Sequence, residues 1–249
     1  MPSLQTNSRP AMATTAFTLV ELLVVIVIIS ILMTAGSIGL SGLGGKGVTS
    51  GVTNAEALFN EARSTAVGKN IRACVLVAKK LNNNSAEDLR RIMVAYEPVD
   101  PATGKPTNAS GATITNWVLS SRGTVLPDQT FFSSKFSKKD HAGSGGSINF
   151  ITLGGNPKKA YEGDYYVYEF NSQGILIDPA DPEYKGGASF VIGSGSRGLT
   201  KAAETEPPRV TSSAKRDFGG FVIWRNGGTS VFRGPDQIGV GSLSPGDTF

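Results

Sequence analysis

Apolar positions follow three different patterns along this chain. The first is a block: residues 22–43 contain no Asp, Glu, Lys or Arg, and residues 22–33 are apolar except for Ser30. At about 1.5 Å per residue, that charge-free segment reaches roughly 33 Å as a helix, close to the hydrocarbon thickness of a bilayer. It predicts a helix able to span a membrane. The second pattern has the helical period. Thr53-Asn54-Ala55-Glu56 has the form of a capping box, and Ala55, Leu58, Phe59, Ala62 and Ala66 recur on one face, with Gly68 as a stop. An amphipathic helix over 53–67, laid against a sheet, is expected. Between the two patterns lie Gly36, Gly39, Gly42, Gly44, Gly45, Gly47 and Gly51. A helical glycine costs about 1 kcal/mol relative to alanine, so a flexible neck over 44–52 is predicted.

The third pattern is short β-branched and aromatic runs between polar stretches. Predicted strands are 71–78, 92–97, 113–119, 147–153, 165–171, 175–178, 189–192, 221–225 and 229–233. Asn171-Ser172-Gln173-Gly174 and Arg225-Asn226-Gly227-Gly228 read as hairpin turns, because Asn and Gly accept positive φ. The long polar connections, 98–111, 133–146, 179–187 and 193–217, read as surface loops. The fold class is therefore α+β, with a long apolar N-terminal helix, an amphipathic helix and an antiparallel β-rich head.

Composition removes several functions. Of 249 residues only one is Cys, Cys74, and one is His, His141. This excludes an internal disulfide, a Cys-rich zinc or iron–sulfur site, and any centre needing two histidines. Twenty-four Lys and Arg against 20 Asp and Glu is a mild excess, so charge alone predicts no nucleic-acid footprint.

The start of the apolar block admits three readings. A secretory signal peptide needs a basic start and a small-residue cleavage site, whereas the first sixteen residues carry only Arg9 and Met33-Thr34-Ala35 is a poor site. A plain anchor fits the length but does not account for Glu21 at the edge of the block. A carboxylate within a membrane helix is costly, which points to a partner; one lying among the headgroups needs no role.

The stretch Ala16-Phe17-Thr18-Leu19-Val20-Glu21-Leu22-Leu23-Val24-Val25-Ile26 resembles the processing motif of type IV prepilins and of type II secretion pseudopilins. The resemblance implies cleavage between Ala16 and Phe17 by a prepilin peptidase, methylation of the new amine, and Glu21 as the fifth mature residue. It also implies that Glu21 pairs with the N-terminal amine of a neighbouring subunit. The family usually has Gly before the cut; Ala16 is also small. Glu61-Ala62-Arg63-Ser64-Thr65-Ala66-Val67 and Asn70-Ile71-Arg72-Ala73-Cys74-Val75 resemble the end of the long helix and first strand of GspH/FimT-type minor pseudopilins.

Other motifs point less far. Gly193, Gly195 and Gly198 fit G-x-G-x-x-G, but Pro207-Pro208 arrives before a full helix could follow, so a loop is expected. Lys46 is followed by Gly47, which removes a phosphate loop. His141 beside Asp140 lies in a polar loop and reads as solvated rather than catalytic. Asp164, Asp178, Asp181 and Glu183 could bind calcium, though no calcium-loop pattern orders them. Lys135, Lys138 and Lys139 near Phe131, Phe132 and Phe136 could hold single-stranded nucleic acid, or simply cover buried rings. Cys74 reads as a small buried hydrophobe.

The resulting expectation is a non-enzymatic pilin-like subunit without cofactor or metal. It has a leader over 1–16, a membrane and assembly helix over 17–43, the neck over 44–52 and a head over 53–249. Its partners would be prepilin peptidase, other pilin or pseudopilin subunits, the inner-membrane assembly platform and the lipid bilayer, with no nucleic acid. It would sit in the bacterial inner membrane, head outside the cytoplasm, and then in a periplasmic or surface filament. The competing expectation is a membrane-tethered envelope enzyme or ligand-binding head carrying a pilin-type leader.

Overall fold

The computed structural model describes residues 19–41, 43–108, 114, 116–143, 145–154, 159–181, 183–184, 186–198, 203, 205–210, 217–232, 234–238 and 246–248, with side chains omitted over 31–46. The chain divides into two compact units, Met1–Ser41 and Gly42–Phe249. In the first, α1 (Leu19–Ser41) is apolar around its whole circumference, and its side chains are exposed from Leu19 (80%) through Ile29 (46%). Ser30 donates its hydroxyl to the carbonyl of Ile26 at 2.7 Å, which satisfies the polar group inside the apolar run. Among the described residues no helix is long and apolar enough to cross a membrane.

The second unit starts with α2 (Leu43–Lys69), followed by β1 (Ala73–Leu81), β2 (Arg91–Tyr96), β3 (Val118–Leu119), β4 (Thr124–Val125), β5 (Thr130–Phe132), β6 (Lys138–Asp140) and β7 (Gly145–Ser147). Then come β8 (Phe150–Leu153), β9 (Gly163–Phe170), β10 (Leu176–Ile177), β11 (Ala188–Ser194), β12 (Phe218–Ile223) and β13 (Thr229–Val231). The larger sheet runs β10-β9-β1-β2-β3, with β4 also on β2 and β8 also on β9; the smaller runs β13-β12-β11-β5; β6 and β7 form a hairpin. All pairings are antiparallel. The architecture is α+β.

Both sheets turn one face to α2. Val48, Val52, Ala55, Phe59, Ala62 and Ala66 repeat at intervals of four and three residues, so they form a single buried stripe. Against it lie Ala73, Val75 and Val77 of β1, Ile92 and Val94 of β2, and Phe190, Ile192 and Phe221 of the smaller sheet. Phe59 makes edge contacts with Tyr168 and Phe221, each at 5.1 Å between centroids, and with Phe190 at 5.6 Å. The Tyr168 hydroxyl donates to the Ser189 carbonyl at 2.8 Å, and the Leu176 amide donates to the Arg225 carbonyl at 3.0 Å, tying sheet to sheet.

The helix is longer than its sequence pattern predicts. The expected neck over 44–52 is helical, and Thr53 lies inside α2, donating its hydroxyl back to Thr49 O at 3.1 Å instead of capping. Glu56 accepts a hydrogen bond from the Thr229 hydroxyl of β13. Two of the glycines explain this. A Cβ on Gly51 would stand 2.7 Å from Ile192 Cδ1 and 3.2 Å from Leu126 Cδ2, and one on Gly47 would stand 3.1 Å from Thr130 Oγ1. Four residues apart, they bring the helix close to the smaller sheet, and that packing offsets their poor propensity. Gly68 does not end the helix. Asn70 does, at φ 54°, with its amide bonded to Val67 O and that of the buried Ile71 to Ala66 O. This is a Schellman closure, with Asn in the place glycine usually takes.

The strand expectations hold for most segments, and the differences are local. Of 113–119 only Val118–Leu119 is a described strand, β4 and β5 fall in a stretch for which no strand is expected, and most of the β6-β7 hairpin falls in the expected loop over 133–146. Both predicted hairpin turns form, with Gly174 at φ 73° and Gly227 at φ 76°.

On the outer face of the larger sheet, away from α2, the register places Glu169 opposite Cys74. There Arg72 donates from Nε and Nη2 to Glu97 at 3.1 and 2.9 Å, and from Nη1 to Glu169 at 3.4 Å. All three are buried. Burial pushes the Glu169 carboxyl up from 4.5 to about 7, against the pull of Arg72 and with added repulsion from Glu97 and Asp178. Its folded value exceeds its unfolded one, so the folded state holds the proton more tightly. The stability this gives is complete below about 4.5 and is lost as pH rises through about 7.

Two predictions follow from this packing, both read on the full-length protein in detergent. Gly68 has open space around its missing Cβ. Gly68→Ala is therefore expected to raise stability by about 0.5–1 kcal/mol, and Gly51→Leu to lower it by roughly 1–3 kcal/mol, in urea unfolding. Equal effects of the two would count against close approach at Gly51. Glu169→Gln should flatten the pH dependence of the urea midpoint between 4.5 and 7; an unaltered slope would assign that dependence to other groups.

Candidate functional site

Two places on the chain hold residues with chemistry to perform. At the first, Glu21 lies in the first turn of α1 and is exposed. Ala16 and Phe17, the residues flanking the expected cut, lie outside the described residues.

The second place is a cleft of about 400 Å³ on the outer face of the larger sheet. Trp117, Phe150, Ile151 and Val167 line its apolar part, and Glu169 and Asp178 supply carboxylates. Strand alternation puts Val167 and Glu169 on one face of β9, while Tyr168 and Phe170 point to α2. Phe150 is 57% exposed, and Lys79 Nζ stands 4.0 Å from its ring centroid. Trp117 is 3% exposed, and its indole nitrogen has no hydrogen-bond partner among the described residues.

Asp178 is buried and sits at the end of the cleft. Burial opposes its ionisation, but the Lys139 ammonium, the Ala180 amide and Asn149 outweigh this and hold the carboxyl below its ordinary range. Lys139 also reaches Asp181 at 3.6 Å. A lysine thus occupies the position a calcium ion would need between these two aspartates. Asp164 instead accepts from the Thr152 hydroxyl at 2.7 Å, and Asp181 caps the amide of Glu183 at 3.2 Å. Among the described residues no group of His, Cys, Asp and Glu could hold a metal ion.

The remaining sequence candidates have structural duties. Phe131 and Phe132 belong to β5 and are buried, and Phe136 packs on Phe218 at 5.6 Å, so the rings near Lys135, Lys138 and Lys139 do not form a stacking surface. His141 is half-buried rather than solvated, with Nε2 3.0 Å from the Gln237 carbonyl and its ring 4.8 Å from that of Phe232. Gly193 lies within β11, and Arg197, two residues beyond Gly195, donates to the carbonyls of Ser85 and Asp88 at 2.6 and 3.1 Å. Cys74 is fully buried on the outer face, where burial pushes its thiol well up.

Sequence reasoning missed Arg72, Glu97, Glu169 and Trp117 as a group. The only local signal was an acidic residue within the apolar alternation of β9.

A protein-family model described as the prokaryotic N-terminal methylation motif matches residues 12–37. No curated protein and no solved structure was found to match the chain. The matched span brackets Glu21 and takes in most of α1. The chain thus carries a prepilin-type N-terminal segment, similar to that of type IV pilin-like proteins.

Proposed function

We propose that this protein is a structural subunit, a minor pilin or pseudopilin, of a type IV pilus-like or type II secretion filament. The observation that carries this reading is the methylation motif over 12–37, which ends within a helix apolar on every side. Cleavage falls between Ala16 and Phe17, the new amine is methylated, and the segment beginning at Phe17 holds the subunit in the inner membrane until it is extracted.

The chemistry of assembly follows from Glu21. In a filament core built of apolar helices, a buried carboxylate without a counter-charge costs several kcal/mol. The cationic amine of Phe17 in an adjacent subunit removes that cost only at one axial offset. Apolar helices otherwise slide past one another with little preference, so one ionic pairing fixes the step. The larger β-rich unit supplies the outward surface, and the proposed role is assembly rather than catalysis.

Mass spectrometry of the protein from a host with prepilin peptidase is expected to find a chain that starts at methylated Phe17. A chain that starts at Met1, or after Ala35, would overturn the reading. Glu21→Ala should leave membrane insertion unchanged and lower filament incorporation by roughly tenfold or more, as expected for the loss of one buried ion pair. Undiminished incorporation would remove Glu21 from assembly.

A further inference from the structure

The cleft on the outer sheet face is independent of the N-terminal motif, and its chemistry is uneven. Glu97, Glu169, Asp178 and Asp181 meet two basic side chains, Arg72 and Lys139. Of these carboxylates, Glu169 and Asp178 line the cleft, and Lys79 stands over Phe150. The two glutamates share a single guanidinium, and only Glu97 is held by two of its donors. Glu169 receives one contact, at 3.4 Å, and lines the cleft. Its walls are the apolar surfaces of Trp117, Phe150, Ile151 and Val167. Phe150 already attracts an ammonium on one side, which shows what its ring can do for a second.

We propose that this cleft receives a basic side chain, Lys or Arg, presented by an extended segment of a protein partner. The aliphatic stem lies along Phe150 and Ile151, and the charged end reaches Glu169 and Asp178. A long cationic side chain matches such a site because its stem is apolar while its head demands carboxylate. The buried indole N–H of Trp117 lacks an acceptor among the described residues, and the carbonyl of a peptide segment can supply one. A neutral sugar would find aromatic walls here too, but it would bring no cation to Glu169, which Arg72 holds by a single contact at 3.4 Å. The volume of about 400 Å³ accommodates one such side chain with its flanking backbone.

The test is calorimetric titration of the full-length protein in detergent with the blocked peptide Ala-Ala-Lys-Ala-Ala and with the same peptide carrying norleucine in place of lysine. Saturable binding is expected for the lysine peptide, weaker by about tenfold for norleucine and weaker again as salt is raised. Glu169→Gln should weaken lysine binding roughly tenfold. Phe150→Ala, at a side chain 57% exposed and thus safe for folding, should weaken it by about fivefold. Equal binding of the two peptides, or lysine binding indifferent to Phe150→Ala, would overturn the proposal. So would tighter binding of a neutral oligosaccharide such as chitotriose that ignores Glu169→Gln. None of these readouts depends on where the leader is cut, so failure here and failure of the filament reading are separately visible.

Discussion

One helix face serves two sheets, and the rest of the second unit is arranged around that constraint. The stripe of α2 from Val48 to Ala66 is mostly valine and alanine, with Phe59 as its only large ring. Small residues let the helix come near both sheets, and Phe59 fills the space where they converge, touching Tyr168 and Phe170 of one and Phe190 and Phe221 of the other. Truncating such a residue typically costs about 3–5 kcal/mol, a large share of a domain's stability. Gly47 and Gly51 extend the same logic toward the N-terminus of α2, where the smaller sheet is closest.

That arrangement has a geometric consequence. Because α2 occupies the concave side, the outer face of each sheet needs its own cover. The smaller sheet gains Val210 and Ile238, and the larger gains Ile114 and Trp117. Among the described residues the cover on the larger sheet leaves a cleft between Trp117 and Phe150. The site therefore follows from the fold: a sheet packed on one face by a helix exposes the other, and the long connections between strands decide how much of it is shut.

Local periodicity made α2's stripe and most strands legible, because each depends on spacing within a few residues. Gly51 misled for the opposite reason. A sequence shows the cost of glycine in a helix but not Ile192, the distant residue that needs the room. The pair Phe131-Phe132 breaks strand alternation, so β5 carries no period-two signal although both rings are buried. Asn70 was overlooked as a cap because Gly68 offered a conventional one. The charged cluster was invisible: Arg72 meets Glu97 and Glu169 across 25 and 97 residues, and only the antiparallel register of β1, β2 and β9 joins them. Glu21, by contrast, is legible, because its chemistry lies in one continuous motif.

The same cluster bears on why an outer face would be built this way. Replacing buried ion pairs with well-packed apolar residues is often neutral or stabilising, so Arg72, Glu97 and Glu169 are not explained by stability alone. The arrangement is also unbalanced, since two glutamates facing one guanidinium leave Glu169 to be stabilised by its proton near neutral pH. A sequence under pressure only to fold would place a glutamine or an aliphatic residue at that point of β9. Natural chains violate such local rules mainly where a site requires it. The violation here borders an apolar cleft rather than the helix-facing core, and a cation entering there would displace the Glu169 proton and pair with the carboxylate left behind.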